Sequence, residues 1–353
     1  MSSPLYLACD LAEKKGIPIA SQLGCQDLKW TLAGGSATES ATFYIKLDDG
    51  GALFVQLAHS SIGLSPTIQT TAQYFSGGIH KFETANRSSR TFKVSADKSS
   101  ASVEGLSITN NPENPGLDVK ATLKSLSVEF KFSIIDSGFQ IGEGKTFFRE
   151  INPTNFICHQ SFPKGSIKGT ITFDGETRQI SGHGYYIHAV LSMKPHEVAT
   201  KCNLITLQSG DNALSLLHFD TPKCFNNVPV TQSSLILNNK LVAVTVKNTA
   251  RYVTTKVDPE NGYEVPTEVQ YTMDGDTLDG QPFHCEASIK LNNLLTKVDV
   301  LRELPYILRK LIQYLFTKPY VYQYFDDAEV VATVGDEQVT FGGKAFFECS
   351  FLN

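Results

Sequence analysis

The sequence predicts an all-β protein built as two consecutive antiparallel β-barrels, with one long helical segment near the C-terminus. Three observations predict it. Strict period-two alternation recurs far apart in the chain. Leu126, Val128, Phe130, Phe132 and Ile134 alternate with Ser127, Glu129, Lys131 and Ser133; Phe283, Cys285, Ala287, Ile289 and Leu291 alternate with His284, Glu286, Ser288 and Lys290. Side chains on a strand point to opposite faces in turn, so each run has one face in a core and one in water. Turn signals punctuate the runs, among them Asp49-Gly50-Gly51, Gly77-Gly78 and Asp174-Gly175. The strand-and-turn pattern of Asp27–Ile135 also resumes after Ile151-Asn152-Pro153, which points to duplication of one barrel unit.

In chain order, Pro4–Lys15 reads as a short amphipathic helix with Leu7, Ala8, Leu11 and Ala12 on one side and Asp10, Glu13 and Lys14 on the other. Leu7 and Leu11 are its membrane-contact candidates, and docking on the protein's own surface is the competing reading. Strands are expected over Thr42–Leu47, Ala52–Ala58, Thr67–Phe75, Thr91–Ser95 and Ser125–Ile135. A hairpin follows at Ile167–Phe173 and Tyr185–Leu191, the latter running into the Met193-Lys194-Pro195-His196 loop. Further strands are expected at Leu204–Gln208, Ala213–Phe219, Ser234–Leu237, Leu241–Val246, Glu268–Met273 and Phe283–Leu291, and the last ones at Tyr320–Phe325, Val330–Val334 and Ala345–Phe351. Between these lies the helical segment, 292–316, in which Leu294, Val298, Leu301, Ile307, Leu308, Leu311, Ile312 and Leu315 recur at three and four and Pro305 introduces a kink. The resulting plan is a tail over 1–25, a first domain over 26–158 and a second over 159–353.

Composition narrows the function classes. Hydrophobic content of 41%, 19% charged residues and a formal net charge of -5 give no general attraction to nucleic acid. Seven cysteines without a CxxC pair do not form a disulfide framework, which points to a reducing compartment. The start of the chain lacks the basic region and apolar run of a signal peptide, and eighteen consecutive apolar residues do not occur. A protein neither secreted by that route nor spanning a membrane is expected.

Familiar catalytic patterns are missing. His183, His188, His196 and Cys202, with Cys158 and His159 nearby, lack any zinc-ligand spacing, and His183 and His188 fall on opposite faces of one strand, so no metal is expected. No G-x-S-x-G elbow and no phosphate-cradling loop is present, and no cofactor is implied. A cavity reading remains. A barrel of about eight strands encloses one small ligand between apolar walls and a few polar groups. Tyr44, Gln56, Gln69, Gln73, Tyr186 and His188 are polar or amphipathic residues set among apolar strand positions. Together they favour a lipid with a polar head, and Lys194 and His196 join Tyr186 and His188 as candidates to meet that head.

Tyr186-Ile187-His188-Ala189-Val190-Leu191-Ser192-Met193-Lys194-Pro195-His196 resembles a block of the fungal survival-factor family of double lipocalin-like proteins. Further blocks agree in order: Asp27-Leu28-Lys29-Trp30, Glu39 with Thr42-Phe43-Tyr44, Val55-Gln56, Thr67-Ile68-Gln69-Thr70, Val298-Asp299-Val300 with Glu303-Leu304-Pro305, and Thr317 to Phe325. The resemblance implies two lipocalin-like barrels and adds Trp30 to the ligand-binding candidates. It also implies a non-enzymatic protein that binds or transfers ceramide or a related long-chain lipid and serves survival under oxidative stress. The implied location is cytoplasmic, with peripheral attachment to endoplasmic reticulum and Golgi membranes, and the nucleus as a further site. That family is distantly similar to carotenoid hydratases, which carry an Asp-His pair where this chain has Ile187-His188. An aliphatic residue cannot protonate a double bond, so the departure argues against inherited hydratase chemistry. An enzyme acting on an isoprenoid or fatty substrate and a protein-binding scaffold are the alternatives.

Overall fold

Phe156–Phe173 and Glu176–Leu191 pair along nearly their whole length and form the spine of the first unit. The Asp174-Gly175 turn makes this possible: both residues have positive φ, 51° and 80°, which matches a two-residue turn to the twist of its strands. The computed structural model describes residues 3–34, 36–61, 66–111, 115–301 and 318–352. It divides into two compact units, Leu5–Lys194 and Pro195–Asn353 with Met1–Pro4. The boundary therefore falls at 194/195, not at 158/159, which lies inside the Phe156–Phe173 strand.

The first unit is organised on one antiparallel sheet. Its main path runs Ile79–Ser88, Thr67–Ser76, Ala52–Ser60, Thr38–Leu47, Glu176–Leu191, Phe156–Phe173, Leu126–Ile134, Leu117–Thr122, Leu106–Asn110, Ala101–Val103 and Lys93–Val94. The sheet curls, but among the described residues its two ends are not joined by a ladder. Side chains of the edge strand Ile79–Ser88 reach across instead: Lys81 to Asp174 at 2.8 Å and Arg87 to Glu104 at 3.8 Å. The expected barrel is thus present in open form. The sequence reading missed the Ile79–Ser88 strand, because its alternation is of half-buried with exposed residues and so lacks a fully apolar face.

The second unit is another antiparallel sheet, ordered Lys240–Thr245, Pro229–Leu237, Asn212–Asp220, Lys201–Ser209, Glu337–Phe351, Tyr320–Val334, Pro282–Lys290, Glu264–Asp276 and Lys247–Val257. Its first strand meets the end of Glu264–Asp276 through an isolated Ala243–Thr277 bridge and a 2.8 Å bond from Leu278 N–H to Val242 C=O.

The long helix expected over 292–316 is not borne out. Leu294–Asp299 is a strand paired with Tyr320–Val334, Val298 standing opposite Val321. Thr296, Val298 and Val300 alternate as β-branched residues, and that preference won over the three-and-four spacing of the leucines. Residues 302–317 of that segment lie outside the described residues.

Near the N-terminus a helix forms over Ala8–Lys15 and docks on the first unit. Ala8 and Ala12 are buried, Ala8 N–H donates to Thr146 Oγ1 at 3.0 Å, and Lys15 pairs with Glu143 at 2.5 Å. Leu7 and Leu11 are half-buried on this docked helix. Among the described residues no helix is long and apolar enough to cross a membrane, and all seven cysteines are free thiols.

Candidate functional site

The strands Thr38–Leu47 and Glu176–Leu191 lie side by side with Val190 opposite Glu39, His188 opposite Ala41 and Tyr186 opposite Phe43. Directly opposed residues share a face. Glu39, Ala41, Phe43, Ile45 and Leu47 therefore line one wall, and His188 and Tyr186 stand beside them in the apolar interior. Glu39 and His188 are 1% and 2% exposed, so their polar atoms must find partners inside the protein.

They do. Glu39 Oε1 accepts from Thr31 N–H and Oε2 from Leu32 N–H, both at 2.7 Å, and His188 Nε2 lies 2.7 Å from Oε1. Leu32 has a φ of 48°, a left-handed conformation unusual for leucine, and this backbone bend brings its N–H to the carboxylate. With the carboxylate as acceptor, the proton of a neutral imidazole sits on Nε2. Nδ1 is then an acceptor, 3.4 Å from the Tyr186 hydroxyl. Burial first, and then the Glu39 charge, pushes the Tyr186 phenol far above its usual range, so it stays protonated and can donate.

Aromatic rings sheathe this row. Trp30 meets His188 edge-on with centroids 5.0 Å apart, Phe92 covers Trp30 at 5.6 Å, and His59 lies on Phe92 at 5.1 Å. On the inner side Tyr186 rests on Phe43 at 4.6 Å, with Phe162 and Phe132 at 5.9 and 6.1 Å. Phe92 and His59 are half-buried, so the column runs from near the surface to the floor of the unit. Burial lowers the pKa of His59, favouring its neutral form. Chemically the row can hydrogen-bond a neutral polar group through the phenol, or pass a proton between phenol, imidazole and carboxylate.

Trp30, Tyr186 and His188 are thus brought together; the other sequence candidates are not. Tyr44, Gln56, Gln69 and Gln73 belong to the opposite face of their strands. Tyr44 packs against Phe54 and Tyr185, Gln56 donates to Thr42 Oγ1 at 2.9 Å, and Gln73 contacts His80 at 2.9 Å. Gln69 is exposed beside Asn86. Lys194 is exposed, and His196 is half-buried in the short helix Pro195–Val198 of the other unit. Glu39 itself escaped the cavity reading. Its signal was present: it is the one carboxylate at the alternating positions of an otherwise apolar strand face. Among the described residues no three His, Cys, Asp or Glu side chains gather as a metal-ligand set.

A sequence profile of the Svf1 family matches residues 10–353. The chain belongs to the Svf1 family. Relatives within it include the ceramide-binding protein svf1 of Schizosaccharomyces pombe, 26% identical over 97% of this chain and 92% of that one. The ceramide-binding protein svf1 of Aspergillus fumigatus is 26% identical over 86% and 78%, and the ceramide-binding protein SVF1 of Kluyveromyces lactis 28% identical over 93% and 86%. Among solved structures, the fold resembles that of a Nitrosomonas europaea protein assigned as AttH, with TM-score 0.61 and 10% identity over 93% of this chain and 98% of that one. Kievitone hydratase from Nectria haematococca matches at TM-score 0.57 and 12% identity over 96% and 94%. These two likenesses establish a shared fold for the Svf1 family chain and carry no chemistry with them.

Proposed function

We propose that this protein binds ceramide or a related long-chain lipid in the interior of the Leu5–Lys194 unit. In this reading it carries the lipid unchanged between endomembranes, works in the cytoplasm with peripheral contact to endoplasmic reticulum and Golgi membranes, and thereby supports survival under oxidative stress. One observation carries the reading: a buried polar row, Glu39–His188–Tyr186, is set into an aromatic and aliphatic interior. A ceramide head is a neutral amide with hydroxyl groups. It offers donors and acceptors to a phenol and an imidazole and asks for no cation. Burial of an acyl chain contributes about 0.8 kcal/mol per methylene, so half of a long chain outweighs a moderate ordering cost. The family relatives named as ceramide-binding support the same ligand class.

The test is native mass spectrometry of protein purified from a eukaryotic host, with extraction of whatever lipid accompanies it. A sphingolipid near one per chain is expected. Protein that emerges without lipid and takes up no added ceramide would sink the proposal.

The 2.7 Å Glu39–His188 contact favours a second reading, an enzyme acting on a fatty or isoprenoid substrate. It supplies from a neighbouring strand the carboxylate that the Ile187 position lacks. Both imidazole nitrogens face protein groups, so the Tyr186 hydroxyl would be the atom that meets such a substrate. Incorporation of ¹⁸O from labelled water into a bound unsaturated lipid would establish this reading, and bound lipid recovered unchanged supports carriage.

A further inference from the structure

The second unit has polar atoms inside it that the first unit's site does not involve. Asn203 and Cys349 stand opposite each other on adjacent strands, and Tyr271 belongs to the same apolar core cluster as Cys349. Asn203, Tyr271 and Cys349 are fully buried. Tyr252 lies on the strand Lys247–Val257, which is separated from Lys201–Ser209 by four intervening strands in the sheet order. Even so, its hydroxyl donates to Asn203 Oδ1 at 2.6 Å. This bond spans the interior of the curled sheet rather than following a ladder, so it marks a polar spot inside the unit.

Around that bond the hydrogen-bond accounting does not close. Asn203 has spent its oxygen on Tyr252, and its amide nitrogen has no partner among the described residues. The Tyr271 hydroxyl and both side-chain atoms of Asn248, which is 8% exposed, are unpartnered as well. Asn248 faces Met273 in the register, two positions from Tyr271, so it belongs to the same wall. Buried amides and phenols in native proteins are almost always paired, and several orphans on one interior face call for a common partner. The donors and acceptors are all neutral. Two titratable groups border the spot, Lys201 with its Nζ 4.4 Å over the Tyr252 ring and His218 opposite Asn203, and both are compensated by Asp220, at 3.7 and 3.1 Å. A phosphate or carboxylate would find no uncompensated cation here, whereas a hydroxyl or an amide carbonyl would satisfy the Asn203 N–H groups and the Tyr271 hydroxyl at once.

We propose that the Pro195–Asn353 unit holds a second binding site, centred on Asn203, Tyr271 and Asn248, for a neutral amphipathic molecule whose polar end is a hydroxyl or amide. Its apolar part lies along Ile205, Leu216 and Phe347 of the same core. The site is separate from the Glu39 row and does not depend on it.

Photo-crosslinking with peptide mapping tests this on the full chain. The probes are a ceramide with a diazirine in its acyl chain and a diazirine fatty acid of the same length. The ceramide probe is expected to label peptides of Lys201–Ser209 or Glu264–Asp276, and the charged acid to label them roughly tenfold less. Asn203→Ala with Tyr271→Phe is expected to lower the ceramide label there by about the same factor while leaving label in Leu5–Lys194 unchanged. Tyr271→Phe alone keeps the ring and protects against a folding artefact. Absence of label in these strands, or label that persists in the double variant, overturns the proposal. So does a Tyr271→Phe protein that melts higher with unchanged labelling, since the orphaned hydroxyl would then be only an unpaired group.

Discussion

Glu39 and His188, 149 positions apart in the chain, meet at 2.7 Å in an interior that leaves them 1% and 2% exposed. The contact joins the start of one strand to the last residues of another, near Leu191, and fixes which imidazole nitrogen carries the proton. It also ties the loop at Thr31 and Leu32 to the barrel wall, since the same carboxylate receives both backbone N–H groups.

Removing that carboxylate leaves the buried His188 imidazole and two part-buried backbone N–H groups without their acceptor. Glu39→Ala is expected to cost about 3–5 kcal/mol in urea unfolding, and Glu39→Gln, which keeps one oxygen, less than half of that. Equal costs for the two variants would contradict this account of the loop.

Much of the first unit could be read from the sequence, and the reason is parity. Tyr186 and His188 fall on one face because they are two apart on a strand, and Phe130 and Phe132 face the core for the same reason. Parity within a strand says nothing about parity between strands. Tyr44, Gln56 and Gln69 each sit among apolar positions, yet pairing Tyr186 with Phe43 sends all three to the other face. Glu39 was hidden for a related reason, because its role depends on a register set far along the chain. The 194/195 boundary was missed because a long hairpin crosses the middle of the chain, where a pause in strand pattern near Pro153 reads as a linker.

The split between faces can be measured. Tyr44→Phe and Gln69→Ala are expected to leave ceramide affinity unchanged, whereas Trp30→Ala, which strips the ring from His188, is expected to weaken it roughly tenfold. Fluorescence titration of the four proteins decides it, and a large loss in Gln69→Ala would show that the outward face binds.

Gly169 stands directly opposite Phe130 on the neighbouring strand. A Cβ there would run into the Glu129 carbonyl and the Phe130 Cα. Gly169→Ala is expected to lower stability by about 1–3 kcal/mol in thermal or urea unfolding, and a neutral result would contradict the close approach.

The docked N-terminal helix gives a further expectation. Ala12→Glu places a charge on a position that is 1% exposed, and limited trypsin digestion should then cut at Lys14 and Lys15 about tenfold faster. If Leu7 and Leu11 contact a membrane, the same variant should increase flotation with phosphatidylcholine vesicles. Unchanged flotation with faster cleavage would mean that these leucines serve only the docked state.

Acid should act through His159, whose pKa burial lowers from 6.5 to about 4. The folded protein then binds fewer protons than the unfolded chain between these values. Its contribution to stability is present above pH 6.5 and is lost as pH falls toward 4, by at most about 3 kcal/mol. His159→Gln is expected to flatten the stability profile in that window, and a wild-type slope retained in the variant would assign the acid sensitivity to another group.

The central claim is that the Glu39–His188–Tyr186 row holds the polar end of a lipid. It is tested most directly by the dissociation constant of a fluorescent ceramide for His188→Ala beside Tyr44→Phe, with both proteins checked for an unchanged circular dichroism spectrum. Weakening of roughly tenfold or more in His188→Ala alone is the predicted result. Equal, wild-type affinity in both would contradict it and move the lipid away from this row.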